Sequence, residues 1–391
     1  MGKNSLGDEA TVSSSFECLI VREKEMKIAI VHDYINQYGG AERVLEVFME
    51  MFPDAPIYTM VKDLSNMPAK FQKADIRTSF IQRIPFSRNH YKKMLALFPI
   101  AVEQFDLREY DIILSSSSAF AKGVITNPNQ VHICYCYTPM RYVWDLYHQY
   151  INEDVTNPIF KFLLPSVLHR IRMWDQLTAD RVDHFIADSK SISNRIRKYY
   201  GRDSKVIYPP VNFDQFYPSD QVSDFFLIVS RLIPYKRIDI VIEAFNRLGW
   251  PLVIIGDGYD RPRLQALANP NVKFMGFQPD EVIAEYYSKC KAFILGGEED
   301  FGITPLEAQA SGRPVIAFRK GGALETVLEN ETGVFFSEPT ADSIIDAIRN
   351  WEQIHFDSVK IRQHASNFSR EKFKQEILQY IQAGLKGDSH E

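Results

Sequence analysis

The stretch GGEEDFGITPLEAQASGRPVIAF, residues 296–318, holds the densest set of residues that could do chemistry. Glu299 and Glu307 stand with seven residues between them. Ionised carboxylates only accept hydrogen bonds, so each suits a ligand rich in hydroxyl groups. Thr304-Pro305-Leu306-Glu307 has the form of a helix start, with Thr304 as N-cap, Pro305 in the first turn and Glu307 at the capping-box position. Gly302 would let backbone come close to a ligand. The free amides at that helix end would make a site for phosphate or sugar oxygens. The plainer alternative stays open at this point: Glu307 closes a capping box and Glu299 sits on a solvated loop.

The elements around this stretch alternate. Lys27–His32 is a short apolar run of the kind found in parallel strands covered on both faces. Gly39-Gly40 follows, then a helix with Val44, Val47, Phe48 and Met51 on one face. Asp111–Leu114, Val131–Tyr135 and His184–Ala187 are further strands. After the turn-rich Tyr208–Asn212 a second series begins, with strands at Phe225–Val229, Leu252–Ile255, Val272–Met275, Ala292–Leu295 and Pro314–Phe318. Between them, Ile238, Val241, Ile242 and Phe245 share a helical face. The expectation is α/β: two doubly wound domains with a cleft at the carboxyl ends of their strands. The boundaries read as residues 26–208 and 209–368, with a last helix at about 369–386 returning to the first domain. Residues 1–25 read as a disordered extension or an early start site.

Composition narrows the function. Hydrophobic residues at 45% and charged residues at 24% are those of a folded protein, and 391 residues exceed one ordinary core. A net charge of -5 argues against nucleic acid as a partner. Cys18, Cys134, Cys136 and Cys290 have no metal-site spacing and read as packing residues of a cytoplasmic protein. No apolar run approaches the roughly 18 residues of a membrane helix.

Several motifs in order carry a family resemblance across about residues 26–385. F-G-x-T-P-L-E-A with its spaced glutamates, followed by G-x-P-V-I-A, is similar to retaining glycosyltransferases of family 4, which have the GT-B fold. Ser230-Arg231-Leu232-Ile233-Pro234-Tyr235-Lys236 resembles that family's R-L-x-x-x-K element, and Lys320–Glu325 its second glycine loop. Gly256-Asp257-Gly258 sits between them in the expected order, and Gly39-Gly40 resembles the N-terminal glycine loop.

The resemblance implies roles. Arg231 and Lys236 would neutralise the leaving diphosphate, Arg as a planar fork and Lys as a point charge. Glu307 would accept from the ribose hydroxyls and Glu299 would lie beside the donor sugar. Gly39, Gly40, Gly256, Gly258, Gly302, Ile303 and Thr304 would line the donor. With two cations available, it implies neither a metal nor a cofactor.

Tyr137-Thr138-Pro139-Met140-Arg141-Tyr142-Val143-Trp144-Asp145 resembles a subgroup of O-antigen-type mannosyltransferases, which makes GDP-mannose the expected donor and a glycan on a polyprenyl diphosphate the expected acceptor. Tyr137 departs from the subgroup, where a histidine commonly precedes T-P-M-R. A tyrosine is a poor base at neutral pH. Transfer survives in principle, because a retaining front-face reaction can pass the acceptor proton to the leaving phosphate. Arg141 and Asp188 complete the acceptor-side set, and His32 is a further cleft candidate.

Residues 67–98 combine Lys70, Lys73, Arg77, Arg83, Arg88, Lys92 and Lys93 with Phe71, Phe80, Ile81, Ile84, Phe86 and Leu95. Such a stretch reads either as a surface for anionic lipid on the inner face of the plasma membrane or as a solvated helix packed on its own domain. Three other readings rival transfer. A nicotinamide dehydrogenase fails because Gly256-Asp257-Gly258-Tyr259-Asp260-Arg261 has Arg at the third glycine of the fingerprint. A sugar-nucleotide epimerase and a catalytically silent sugar-nucleotide-binding subunit remain, the latter favoured by Tyr137.

Overall fold

The computed structural model describes residues 26–65, 67–85, 91–151 and 158–387. The expected extension over residues 1–25, with Cys18, lies outside the described residues, as do Phe86 and Arg88.

Two all-parallel sheets organise the chain. The first has the order β3-β2-β1-β4-β5-β6-β7. Its strands are β1 (Ile28–Ile35), β2 (Ile57–Lys62), β3 (Ile76–Thr78), β4 (Ile112–Ser117), β5 (Val131–Cys136), β6 (His184–Ala187) and β7 (Lys205–Val206). The second runs β10-β9-β8-β11-β12-β13. It consists of β8 (Phe226–Val229), β9 (Leu252–Ile255), β10 (Val272–Gly276), β11 (Phe293–Leu295), β12 (Val315–Phe318) and β13 (Gly333–Phe336). The strand order reverses between β1 and β4 in one sheet and between β8 and β11 in the other. In doubly wound sheets ligands bind outside the carboxyl ends of strands at such a reversal.

The helices that matter below are α1 (Gly40–Met51), α2 (Pro158–Leu177), α3 (Lys190–Tyr200), α4 (Ile238–Leu248), α5 (Asp280–Lys289), α6 (Ile303–Ala310), α7 (Ala341–Glu352) and α8 (Arg370–Gly387). By density of contacts the chain forms two compact units. Among the described residues, those of 26–135 and 140–184 make one, and those of 136–139 and 185–387 make the other.

In the second unit the period of two is visible strand by strand. Phe226 and Ile228 of β8 pack with Val241, Ile242 and Phe245 of α4 and with Ile344 and Ile348 of α7. Leu227, between them, packs on the opposite face with Tyr287, Phe293, Leu306 and Ala308. Each such side chain contributes about 1.5–3 kcal/mol on burial, which fixes the register. The first unit has its own core, in which Val31, Ile113, Phe98, Phe120 and Leu168 meet.

Within the described part of the basic stretch 67–98, the apolar residues turn inward. Phe71 and Ile81 are fully buried, and Phe80, Ile84 and Leu95 pack against the same core. Lys70 lies 2.5 Å from Glu46 and 3.3 Å from Glu50, and Arg77 pairs with Asp75 at 2.8 Å. The packed reading of this stretch is the one the structure favours. Among the described residues no helix is long and apolar enough to cross a membrane.

Candidate functional site

At the reversal of the second sheet, the loops that leave β8 and β11 carry the charged residues singled out above. Lys236, in a short turn after β8, forms an ion pair with Glu299, and their side chains are 12% and 18% exposed. Arg231 is exposed, and its Nη2 lies 3.3 Å from the hydroxyl of Tyr235. The Tyr235 ring in turn lies 5.1 Å from the Lys236 ammonium. Both cations, one carboxylate and one aromatic ring therefore belong to one patch.

Close backbone approach explains the glycines around this patch. A Cβ on Gly297 would stand 2.5 Å from the carbonyl oxygen of Tyr235 and within 3.0 Å of the Lys236 backbone. One on Gly256 would meet the Ser230 carbonyl at 1.9 Å, one on Gly258 that of Leu232 at 2.2 Å, and one on Gly322 that of Phe301 at 2.1 Å. The immediate reason for Gly256 and Gly258 is thus to let the β9 loop lie against the loop bearing Arg231. The β11 loop is clasped from its other side too: Gly322 N donates to the Glu299 carbonyl at 2.8 Å.

The expected capping box at Thr304 does not form. α6 begins at Ile303, and its N-cap is Gly302, whose φ of 86° is a conformation that favours glycine. Glu307 therefore sits beyond the capping-box position. It is buried, and its Oε2 accepts from the Tyr287 hydroxyl of α5 at 3.0 Å. Without a capping side chain, the amides of Gly302, Ile303 and Thr304 find no acceptor among the described residues. Donors of this kind at a helix start favour an anion or a sugar oxygen. Gly302 also touches Glu299, since a Cβ there would lie 3.4 Å from that of Glu299. Lys236, Glu299 and the helix start are consecutive neighbours.

Asp188, at the end of β6, is buried, and its Oδ1 lies 3.0 Å from Ser189 Oγ. Burial pushes its carboxyl well above the usual range, and the charge of Asp300 adds to this.

In the first unit, Gly39 is the N-cap of α1, and its amide donates to Glu42 Oε2 at 2.9 Å. The other oxygen of Glu42 lies 3.7 Å from His32 Nε2, and His32 Nδ1 lies 2.9 Å from Ser116 Oγ. His32 and Glu42 are both buried, so the glycine turn is fixed to β1 and β4 by a polar chain. Gly40 follows as the first, exposed residue of α1. Asp33, which no motif marks, holds the turn after β4 by accepting four backbone amides, from Ser118, Ala119, Phe120 and Ala121, at 2.6–2.9 Å.

The T-P-M-R segment divides in role. Tyr137 is half-buried, and Arg141 Nε lies 3.7 Å from Asp145. Trp144 donates to Asp175 Oδ2 of α2 at 2.7 Å, and Arg172 donates to the Val143 carbonyl at 2.5 Å. Lys122 completes a buried pair with Asp175 at 2.8 Å. The Val143–Trp144 part of the motif is therefore fastened to α2. A cavity of about 660 Å³ lies elsewhere in this unit, beside Tyr58, Arg77, Phe105 and Arg108. Its arginines are already matched by Asp75 and Asp106.

Comparison with known proteins gives concordant matches. The profile described as "Glycosyl transferases group 1" matches residues 212–372, and that described as "Glycosyltransferase Family 4" matches residues 38–215. A GDP-mannose-dependent alpha-mannosyltransferase of Mycobacterium tuberculosis is 39% identical over 107 residues, which are 27% of this chain and 28% of that protein. The chain spans about half the length of the first curated relatives it matches. Among solved structures, Anabaena HepE in complex with UDP has a TM-score of 0.67 at 18% identity, covering 92% of this chain and all of the other. The sucrose-phosphate synthase of Thermosynechococcus elongatus has a TM-score of 0.72 at 17% identity, with the same coverage. At such identities the structures speak for the fold alone.

Proposed function

The chain belongs to glycosyltransferase family 4 and has the GT-B fold, and from that premise we propose that it transfers a hexose from a nucleotide-diphosphate sugar to an acceptor hydroxyl with retention of configuration. The observation that carries this reading is the Lys236–Glu299 pair standing beside three acceptor-less amides at the mouth of α6. Bond cleavage at the anomeric carbon leaves negative charge on the diphosphate. Preorganised cations and amides stabilise that charge more than they stabilise the ground state. Arg231 and Lys236 would supply the positive charge, and the amides of Gly302, Ile303 and Thr304 would bind phosphate or sugar oxygens. Glu299, already held by Lys236, would orient the sugar. Glu307, fixed by Tyr287, would accept from the ribose.

A retaining front-face reaction lets the leaving phosphate oxygen take the acceptor proton. Tyr137 then need not act as a base. In the same reading the two cations do the work a divalent ion does elsewhere, so turnover should survive EDTA.

GDP-mannose is the proposed donor. The T-P-M-R segment supports it, as do matches to two GDP-mannose-dependent mannosyltransferases at 39% and 32% identity. The proposed acceptor is a lipid-linked glycan of bacterial polysaccharide synthesis, reached from the cytoplasmic side. Release of GDP from GDP-mannose by the purified protein tests this. The reading predicts slow hydrolysis that accelerates with a polyprenyl-linked acceptor. Release from UDP-sugars alone would replace the donor, and nucleotide binding without any release would favour the silent binder that Tyr137 suggests.

A further inference from the structure

We propose that Arg195 is a positioning residue that fixes the Glu299 loop against the T-P-M-R segment. Arg195 lies on α3, with its side chain 16% exposed. Its Nη1 donates to Asp300 Oδ1 at 2.6 Å and lies 3.5 Å from Thr138 Oγ1, the residue after Tyr137. Its Nη2 lies 3.9 Å from Glu298 Oε1. One guanidinium thus addresses the residues on both sides of Glu299.

The start of α3 adds two more holds. Ser189 Oγ donates to the Asp300 carbonyl at 2.9 Å. Glu325 accepts from the amides of Lys190 and Ser191 at 2.9 and 3.2 Å and from the Tyr208 hydroxyl at 3.0 Å. With Gly322 N on the Glu299 carbonyl, backbone 299–300 is gripped from two directions, and the Glu299 side chain is directed to Lys236.

Geometry makes arginine the residue for this task. A planar fork can meet Asp300, Glu298 and Thr138 at once, whereas an ammonium is a single point charge. Because Arg195 touches the loop and not the two cations, its loss should disturb the sugar side of the site while leaving Arg231 and Lys236 in place. That consequence rests on the donor-site reading above; the restraint on the loop does not.

The test compares the full-length protein with Arg195→Ala, Arg195→Lys, Asp300→Asn and the Arg195→Ala/Asp300→Asn double variant. Hydrogen exchange is followed in the segment 320–323, whose Gly322 amide donates to the Glu299 carbonyl, and GDP release from GDP-mannose is measured in parallel. Exchange in that segment should speed by about tenfold or more in Arg195→Ala and Asp300→Asn, with no further gain in the double variant. Arg195→Lys should recover part of the protection. Turnover should fall by about tenfold or more with donor KM within about twofold. Unchanged exchange at 320–323 in both single variants, additive effects in the double variant, or a rise in KM alone would each overturn the proposal. Should the wild-type protein release no nucleotide, the donor reading fails by itself, and the exchange result still decides for or against Arg195.

Discussion

Two glycine-bearing loops leave the carboxyl ends of parallel strands, and they are held by different physics. The loop after β11 is keyed in the first place by steric fit, because Gly297 and Gly322 let backbone lie on backbone where any Cβ would collide, and its side-chain holds from Arg195 and Ser189 add to that fit. The turn after β1 is held by side chains. Glu42 accepts the Gly39 amide and faces His32, while Asp33 gathers the turn after β4. A sterically keyed loop presents fixed amides and a fixed ion pair. A loop held by titratable side chains depends on their charge states.

The largest effects should come from the charges that the keyed loops present. Lys236→Ala and Arg231→Ala are each expected to lower turnover by about 100- to 1000-fold with the melting temperature little changed. Activity within a factor of three of wild type in both would remove the diphosphate grip. Next in size is Gly297→Ala, whose Cβ meets the Tyr235 carbonyl at 2.5 Å. It should cost about 1–3 kcal/mol in urea unfolding and also weaken nucleotide binding. Stability equal to wild type would mean that the loops are not keyed.

Glu42→Ala should cost about 1–2 kcal/mol by leaving the Gly39 amide unpaired, while nucleotide affinity in the second unit stays near wild type. An effect on affinity as large as that of Lys236→Ala would erase the contrast between the loops.

The smallest effects are in pH, and they have opposite signs in the two units. Burial, with the nearby cations Lys122 and Arg181, pulls the imidazole of His132 down to about 4. The unfolded chain then binds more protons between about 6.5 and 4, so stability is lost as pH falls through that window. Asp188 is shifted upward, so the folded state binds more protons than the unfolded one above the ordinary carboxylate range. Its contribution is full at low pH and is lost as pH rises towards its raised value. His132→Gln should flatten the acid limb of a urea-unfolding pH series and Asp188→Asn the opposite limb. Slopes unchanged in both variants would contradict these assignments.

The same contrast explains what could be read from the residues alone. Strands such as β9 and β6 are short apolar runs covered on both faces, and periodicity finds them at their observed ends. β2, β3, β7 and β13 escaped it. β3 and β7 have only three and two residues, too few for a pattern, and β13 is the four-residue GVFF beside a turn. The glycines of the loops after β9 and β11 stand where backbone meets backbone, a close approach that admits few other residue types. The helix start was misread by two positions, since Thr304 looks like a cap and only the backbone shows that Gly302 takes that place. Asp33, Tyr287 and Arg195 were invisible because their partners lie 85, 20 and 105 residues away in the chain. No local spacing records a long-range hydrogen bond.

Calorimetric titration of nucleotide pairs bears most directly on the central claim. GDP against GMP, and UDP against UMP, differ by one phosphate, so the ratio of affinities isolates the diphosphate grip from recognition of the base. The account predicts that the diphosphate of the accepted base binds about tenfold or more tighter than its monophosphate. It further predicts that Arg231→Ala and Lys236→Ala each reduce that ratio towards one. A preference that persists undiminished in both variants would contradict it.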